Sequence, residues 1–363
     1  MSNVGLSMGS SGTSAPRPPK SKRRVGGVLI FVILLVAALL LGAAYVAWTF
    51  LKPAPDYSGQ GSGTVIVTVS PGQSISSIGD ELAAKGVVQS SAAFVAAASS
   101  DDRAKNIPTG SFELRNQMSA VAALDLLVDP DSRVVNKLTV KEGERVDEVV
   151  AEASKVTGIP VAEFTAALKS PKLGLPDYAK GNAEGFLYPA TYEIEPKSTA
   201  TSILSMMVTK FNSVADSIQL ESRAKAQGRS PYEIVTIASL LEAEGTPTDF
   251  GQIARVVENR LAKDMPLQFD STINYATKSS NIQLSKDQLA LDSPYNSYQN
   301  KGLPPTPIGQ PSKAALEAAL KPPPGNWLYF VTVDPDAKVT KFTDNYQEFL
   351  TFVDELNSNL KSS

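Results

Sequence analysis

Ile237-Ala238-Ser239-Leu240-Leu241-Glu242-Ala243-Glu244 is a run of small and apolar residues that closes on two acids. With Ile234 it keeps helical spacing. Ile234, Ile237, Ala238 and Leu241 share one stripe of a wheel turning about 100° per residue. Glu242 then falls about 90° to one side of the stripe's centre and Glu244 about 70° to the other. Residues two apart on a helix do not face each other, so the glutamates are expected in different surroundings rather than as a carboxylate pair. A glutamate at such a boundary is either a solvated edge residue or, where half sheltered, an acid of raised pKa, because burial disfavours the charged carboxylate.

The residue inventory sharpens that choice. The 363 residues include no histidine and no cysteine. Ser-His-Asp and Cys-His catalysis are excluded, as are ordinary zinc sites and disulfides. No Walker loop, dinucleotide fingerprint or nucleophile elbow occurs. Chemistry without metal or cofactor then falls to carboxylates, hydroxyls, amides and Lys/Arg, with Glu242 the leading general acid. Poising it near pH 6 from about 4.3 requires roughly 2–3 kcal/mol of desolvation, which proteins tolerate mainly where the proton is used. The net charge is −3. Arg17, Lys20, Lys22, Arg23 and Arg24 lie in the first 24 residues, which hold no acid, leaving 29 basic against 37 acidic groups beyond them. That acidic remainder is a poor surface for nucleic acid.

Residues 25–51 carry no charge, and 27 residues span a bilayer with some tilt. The run exceeds the apolar core of a secretory signal, about 7–15 residues, so a retained single-pass helix is expected. The basic cluster before it places the N-terminus in the cytoplasm and the rest outside. Residues 1–24 are expected to be a disordered basic tail and 52–63 a Pro/Gly/Ser linker.

Beyond the linker, Thr64 to Val69 reads as a strand, Pro71-Gly72 as a turn and Ile75, Ile78 and Leu82 as a helix face capped by Ser74. A loose echo of this strand-turn-helix recurs 71 residues later, with Thr139-Val140, Gly143, Val146 and Val149. Ser111 to Leu114 reads as a strand and Val121 to Val128 as a helix, making 64–135 a small α+β module. From about 200 the pattern is mainly helical: Ile203, Met206, Met207 and Phe211, then the Glu242 run, then Ile253, Val256, Val257 and Leu261. From Asp270 the chain turns polar and Pro-rich, and Trp327 to Val333 reads as a late buried strand. Long ordered loops often line binding sites. Gln268, Asp270, Tyr295, Asn296 and Tyr298 are therefore candidate sugar contacts or, equally, ties for the loop. Glu142 and Glu144, flanking Gly143, read as turn residues. Gly185 to Tyr188 and Tyr192 either stack on a sugar or pack in a core.

Several blocks in order resemble the endolytic murein transglycosylase family, from about Val65 to Phe349. The sharpest is the opening run. It is followed by Val257-Glu258-Asn259-Arg260-Leu261, Met265-Pro266-Leu267-Gln268-Phe269-Asp270-Ser271-Thr272, Ser293-Pro294-Tyr295-Asn296-Ser297-Tyr298 and Gly302-Leu303-Pro304-Pro305-Thr306-Pro307-Ile308. Upstream, Thr109-Gly110-Ser111-Phe112 and Glu184-Gly185-Phe186-Leu187-Tyr188-Pro189-Ala190-Thr191-Tyr192 also fit. Departures are Ala243 where the family often has Lys, Ala190 for Asp, Phe269 for a small polar residue, Ser271 for Pro, Thr306 for Gly, and Gln310-Pro311-Ser312 for Asn-Pro-Gly.

The resemblance implies an α+β protein: one transmembrane helix, a LysM-like module (64–135), then a mainly helical lysozyme-like catalytic domain (136–355) with long loops. It implies cleavage of the MurNAc–GlcNAc linkage within nascent peptidoglycan strands near the membrane, with 1,6-anhydro-MurNAc ends as product. Glu242 takes the place of the family's catalytic glutamate, and Glu244, Gln268, Asp270, Tyr295, Asn296 and Tyr298 are expected around the substrate. Peptidoglycan synthases are expected partners. Two other readings stay open: a hydrolytic muramidase with Asp270 or Glu244 as second carboxylate, and a non-catalytic glycan-binding scaffold.

Overall fold

A computed structural model describes residues 25–280 and 284–362. The basic tail expected over 1–24 lies outside the described residues. About half the chain is helical.

Helix α1 (Val25–Leu51) coincides with the uncharged run. Over Leu29–Val46 its mean hydropathy is 2.9 and none of it is buried within the protein. It is a helix long and apolar enough to cross a membrane. The strand β1 (Gln60–Val69) begins earlier than the sequence pattern indicates, taking the last residues of the expected linker. There follow α2 (Ile75–Ala84), α3 (Ser91–Ser99), β2 (Gly110–Met118) and α4 (Ala120–Val128). Ser74 caps α2 by accepting the Ser77 N–H at 3.1 Å. Strands β1 and β2 pair.

The chain divides into two compact units. One comprises residues up to Val65, 72–107 and 114–128, and the other 66–71, 108–113 and 129 onward. In the first, α2 packs on α3 and α3 on α4, with Ile78, Leu82, Phe94, Leu124 and Leu127 buried.

The second unit holds β3 (Asn136–Val140), α5 (Val146–Thr157), α6 (Val161–Ala167), β4 (Ala190–Ile194), α7 (Ala200–Ser217), α8 (Leu220–Ala226), α9 (Pro231–Glu244), α10 (Phe250–Ala262), α11 (Asp270–Thr277), α12 (Lys286–Leu289), α13 (Lys313–Ala319), β5 (Tyr329–Asp334), β6 (Val339–Thr343) and α14 (Tyr346–Ser362). β3 and β4 are antiparallel, with Leu138 opposite Tyr192 and Val140 opposite Ala190. They pack with α5, α6 and α7 around Leu138, Phe164, Ile194, Ile203 and Met207. A second cluster surrounds α9, with Phe211, Ile237, Leu240, Phe250, Ile253 and Leu316.

The structure corrects the sequence reading of α9. Every residue from Ile234 to Leu241 is buried, not one stripe. α8, α10, α11 and α13 all contact it, so no face is left for water. The polar residues inside are satisfied along the helix. Thr236 Oγ1 donates to the Tyr232 carbonyl at 2.9 Å and Ser239 Oγ to the Thr236 carbonyl at 2.8 Å. Two further corrections fall downstream. The Pro-rich stretch after Asp270 contains α11 and α12. The late strand is only half-buried, an edge of the hairpin β5–β6 that α14 covers.

Candidate active site

Glu242 stands in the last turn of α9, where this core helix emerges. Ser230 starts the helix as an N-cap with a reciprocal bond from Glu233, and Pro231 occupies its first turn. The Glu242 Oε2 accepts the Ser312 N–H at 2.9 Å. Ser312 is itself the N-cap of α13, so the carboxylate sits against the start of that helix. Burial raises the Glu242 pKa, hydrogen bonding from Ser312 opposes this, and the charge of Glu142 adds to it. The group is half-buried, the sheltered alternative of the two drawn from the sequence. Tyr188 lies close enough to feel the charges of Glu142 and Glu242.

The support behind Glu242 is built from the 307–312 segment and the β3–α5 turn. Ile308 N–H donates to Ser239 Oγ at 3.0 Å, locking the segment to α9. Gln310 N–H donates to the Glu144 carbonyl at 2.9 Å and its carbonyl accepts the Gly143 N–H at 2.8 Å. At Gly309 a Cβ would stand 2.5 Å from the Gly143 carbonyl oxygen, so only glycine allows this approach. Gly185 is equally constrained: its φ is +88° and a Cβ would meet Pro307 Cβ at 2.7 Å.

Glu244 has different neighbours, as the wheel expects. Ser271 Oγ donates to its Oε1 at 2.5 Å. Burial is the largest cause of a pKa pushed up to about 7, with Ser271 opposing. The departure from Pro to Ser at 271 thus supplies this carboxyl's donor.

Glu184, quoted in the sequence only as part of an aromatic block, is buried at 6% exposure. It accepts from Val146 N at 3.2 Å, from Tyr275 Oη at 3.1 Å and from Gln310 Nε2 at 2.7 Å. Burial pushes its pKa up to about 7 against the hydrogen bonds from Val146 and Tyr275. The signal that could have found it is one acid opening an otherwise apolar, aromatic stretch. Nothing in the sequence marks its partners.

The other candidates divide. Asp270 accepts the Tyr298 hydroxyl at 2.6 Å. Tyr295 shares a hydrogen bond with Thr306 at 2.9 Å and its ring lies 5.0 Å from that of Tyr275. Gln268 adopts φ +55° and its side-chain oxygen accepts from Arg260 at 3.3 Å. Asn296 is fully buried and spends its polar atoms inside the loop: Nδ2 donates to the Leu289 and Leu291 carbonyls, and Oδ1 accepts the Tyr298 N–H. Phe186, Leu187 and Tyr192 are core. Phe269 is buried against Phe330, ring centroids 5.9 Å apart, so this departure repacks a wall.

Three cavities are lined in part by residues 143–148. One of about 250 Å³ is lined by Gly143, Arg145, Ala243, Ser271, Tyr275 and Ile308. Arg145 and Tyr275 also line a cavity of about 660 Å³ that reaches Glu184, Lys278 and Tyr295. Gly143 and Glu148 line a third of about 610 Å³, which includes Glu142, Glu144 and Glu152. Glu242 packs against Gly143 (a Cβ there would approach its Cγ to 3.7 Å), which lines the first and third of these cavities, and its neighbour Ala243 lines the first.

The YceG-like family profile matches residues 67–355. The chain belongs to the YceG-like family. It is 30% identical over 311 residues to the endolytic murein transglycosylase of Bacillus subtilis strain 168, covering 81% of this chain and 85% of that one. It is 29% identical to the endolytic murein transglycosylase of Streptococcus pneumoniae serotype 2, over 92% of this chain and 65% of the longer pneumococcal protein. The crystal structure of a YceG-like protein from Listeria monocytogenes superposes with a TM-score of 0.55 at 27% identity, covering 79% of this chain and 98% of that one.

Proposed function

We propose that this YceG-like protein is an endolytic peptidoglycan lytic transglycosylase, held at the membrane by α1, with Glu242 as its catalytic acid and base. The observation that carries the reading is the placement of Glu242: a half-buried carboxyl, its pKa raised by burial, packed against Gly143, which lines two open cavities. The relatives from Bacillus subtilis and Streptococcus pneumoniae carry the name endolytic murein transglycosylase. In this reading protonated Glu242 donates to the oxygen linking MurNAc to GlcNAc. The bond breaks with oxocarbenium-like character, assisted by the substrate's acetamido oxygen. Ionised Glu242 then takes the proton of the muramyl C6 hydroxyl, whose oxygen closes on C1 to leave a 1,6-anhydro end. One carboxyl acts twice, and no second protein carboxylate is needed.

Several open cavities near Gly143, the residue packed against Glu242, leave room for a strand to pass and favour cuts inside it over trimming from its end. Glu244 and Asp270, the two carboxylates a hydrolase would draw on, are hydrogen-bonded to Ser271 and Tyr298. Tyr295, Gln268 and Tyr298 are assigned to substrate support, while Asn296 holds their loop. Residues 64–135 are read as the LysM-like glycan-binding module, supported by the order β1, α2, α3, β2, and 136–355 as the lysozyme-like catalytic domain. With the N-terminus cytoplasmic, the catalytic unit works outside the membrane, where it meets nascent strands and their synthases. Chain-length analysis of purified strands tests the endolytic reading. Mean length should collapse early in digestion, whereas steady release of disaccharide from ends would reject it.

A further inference from the structure

Glu184 is a deeply buried acid near the site that the chemistry above leaves unused. Its three donors come from three elements: Val146 at the start of α5, Tyr275 on α11, and Gln310. Gln310 is fully buried and extends the connection. Its Oε1 accepts the Leu187 N–H at 2.8 Å, and its main chain bonds both ways with the Gly143–Glu144 turn. Two residues on, Ser312 N–H donates to Glu242. Gly143, on the other side of the same turn, backs onto Glu242. The family resemblance places Asn where this chain has Gln310, and the longer side chain supplies the reach to Glu184.

We propose that Glu184 and Gln310 form a positioning pair that fixes the 309–312 segment, and through Ser312 sets where the Glu242 carboxyl sits and how readily it holds its proton. The pair rests on the assignment of Glu242 as the acid. It acts by geometry: Glu184 anchors the Gln310 side chain, the main chain of Gln310 anchors the turn, and both hold the donor that stabilises ionised Glu242. Misplacing a catalytic group by about an ångström costs on the order of a hundredfold in rate. The groups facing Glu242 are Glu142 from the β3–α5 turn, Tyr188 beside β4 and Ser312 at α13. Those facing Glu184 are Arg145 just before α5, Asp147 from α5, Tyr275 from α11 and Tyr232 from α9. None of these is altered in the test.

The test measures turnover of purified glycan strands against pH for the full chain and for Gln310→Leu, Gln310→Asn, Glu184→Leu and Glu184→Gln. Gln310→Leu and Glu184→Leu should lower turnover by about 10- to 100-fold and move the inflection belonging to Glu242 upward by about half a pH unit or more, since a donor to its ionised form is loosened. Glu184→Gln keeps an acceptor for Gln310 and Val146 and should restore most of the loss. Gln310→Asn, which keeps the turn's main-chain bonds and shortens the reach, should shift the inflection in the same direction, and serves if the leucine variants do not fold. Lower turnover with the inflection unmoved would mean only a structural role and overturn the proposal, as would unchanged behaviour of Gln310→Asn and Gln310→Leu. Full activity of Glu242→Gln would instead overturn the acid assignment itself.

Discussion

The two ends of one helical turn make the instructive comparison. Glu242 and Glu244 are two residues apart on α9, and burial raises the pKa of both. Glu244 is the more strongly perturbed, to about 7, and its carboxyl is bound to Ser271 against α11. Glu242 is less perturbed, held at one oxygen by a main-chain donor from the start of α13, and packs against Gly143, which lines two cavities. A perturbed acid is a candidate for function, but the size of its shift does not rank candidates. A proton donor also needs a path to the substrate, and a carboxyl tied to a neighbouring side chain inside the wall is a structural group with an expensive proton.

The sharpest way to break this comparison is to neutralise each acid in turn. Glu242→Gln should lower turnover by about 10²–10⁴ with folding and strand binding retained, and Glu244→Gln by no more than about tenfold, measured as new strand ends per unit time. Equal losses would erase the distinction and revive a two-carboxylate site.

Stability against pH is the next largest effect. Glu184 and Glu244 both have folded-state pKa values raised to about 7 from a reference of 4.5. A raised carboxyl pKa means the native state prefers the proton. The stability this confers is full below the reference value and is lost as pH rises through about 7. Each group contributes up to about 3 kcal/mol to that slope. Denaturant unfolding at pH 4.5 and 7.5 should therefore show a fall that Glu184→Gln and Glu244→Gln each reduce. An unchanged slope in both variants would contradict the burial that defines them.

Gly309→Ala comes next. Its Cβ meets the Gly143 carbonyl at 2.5 Å, and relieving that overlap should cost about 2 kcal/mol and displace the support behind Glu242 but not Glu244. Unfolding midpoints and turnover would both fall. The smallest effect is Ala243→Lys, which puts a cation on an exposed position lining the cavity beside Glu242. It should lower the Glu242 inflection in the pH–turnover profile by some tenths of a unit, and an unmoved inflection would show that the introduced ammonium does not reach the carboxyl.

Much of this was legible in the sequence because the patterns are one-dimensional. The uncharged run 25–51 became α1 without adjustment, since length and apolarity suffice to define a helix able to cross a membrane. The helical runs before and after Glu242 became α7, α9 and α10. The all-round burial of α9 was not legible: a wheel supposes one wet face, and Thr236 and Ser239 look polar until their hydroxyls are seen to bond back along the helix. Asn296 looked like a substrate contact because an amide in a Pro-rich loop reads the same whether it holds sugar or its own backbone. Glu184 and Gln310 are 126 positions apart and carry no periodicity, so their bond exists only in the fold.

The chemistry of the new strand end separates transglycosylation from hydrolysis most directly. Mass spectrometry of glycan cut by the purified protein, beside the Glu242→Gln variant, should show 1,6-anhydro-MurNAc termini from the former and almost none from the latter. Reducing MurNAc termini, carrying the mass of added water, would contradict transglycosylation and assign the cut to hydrolysis.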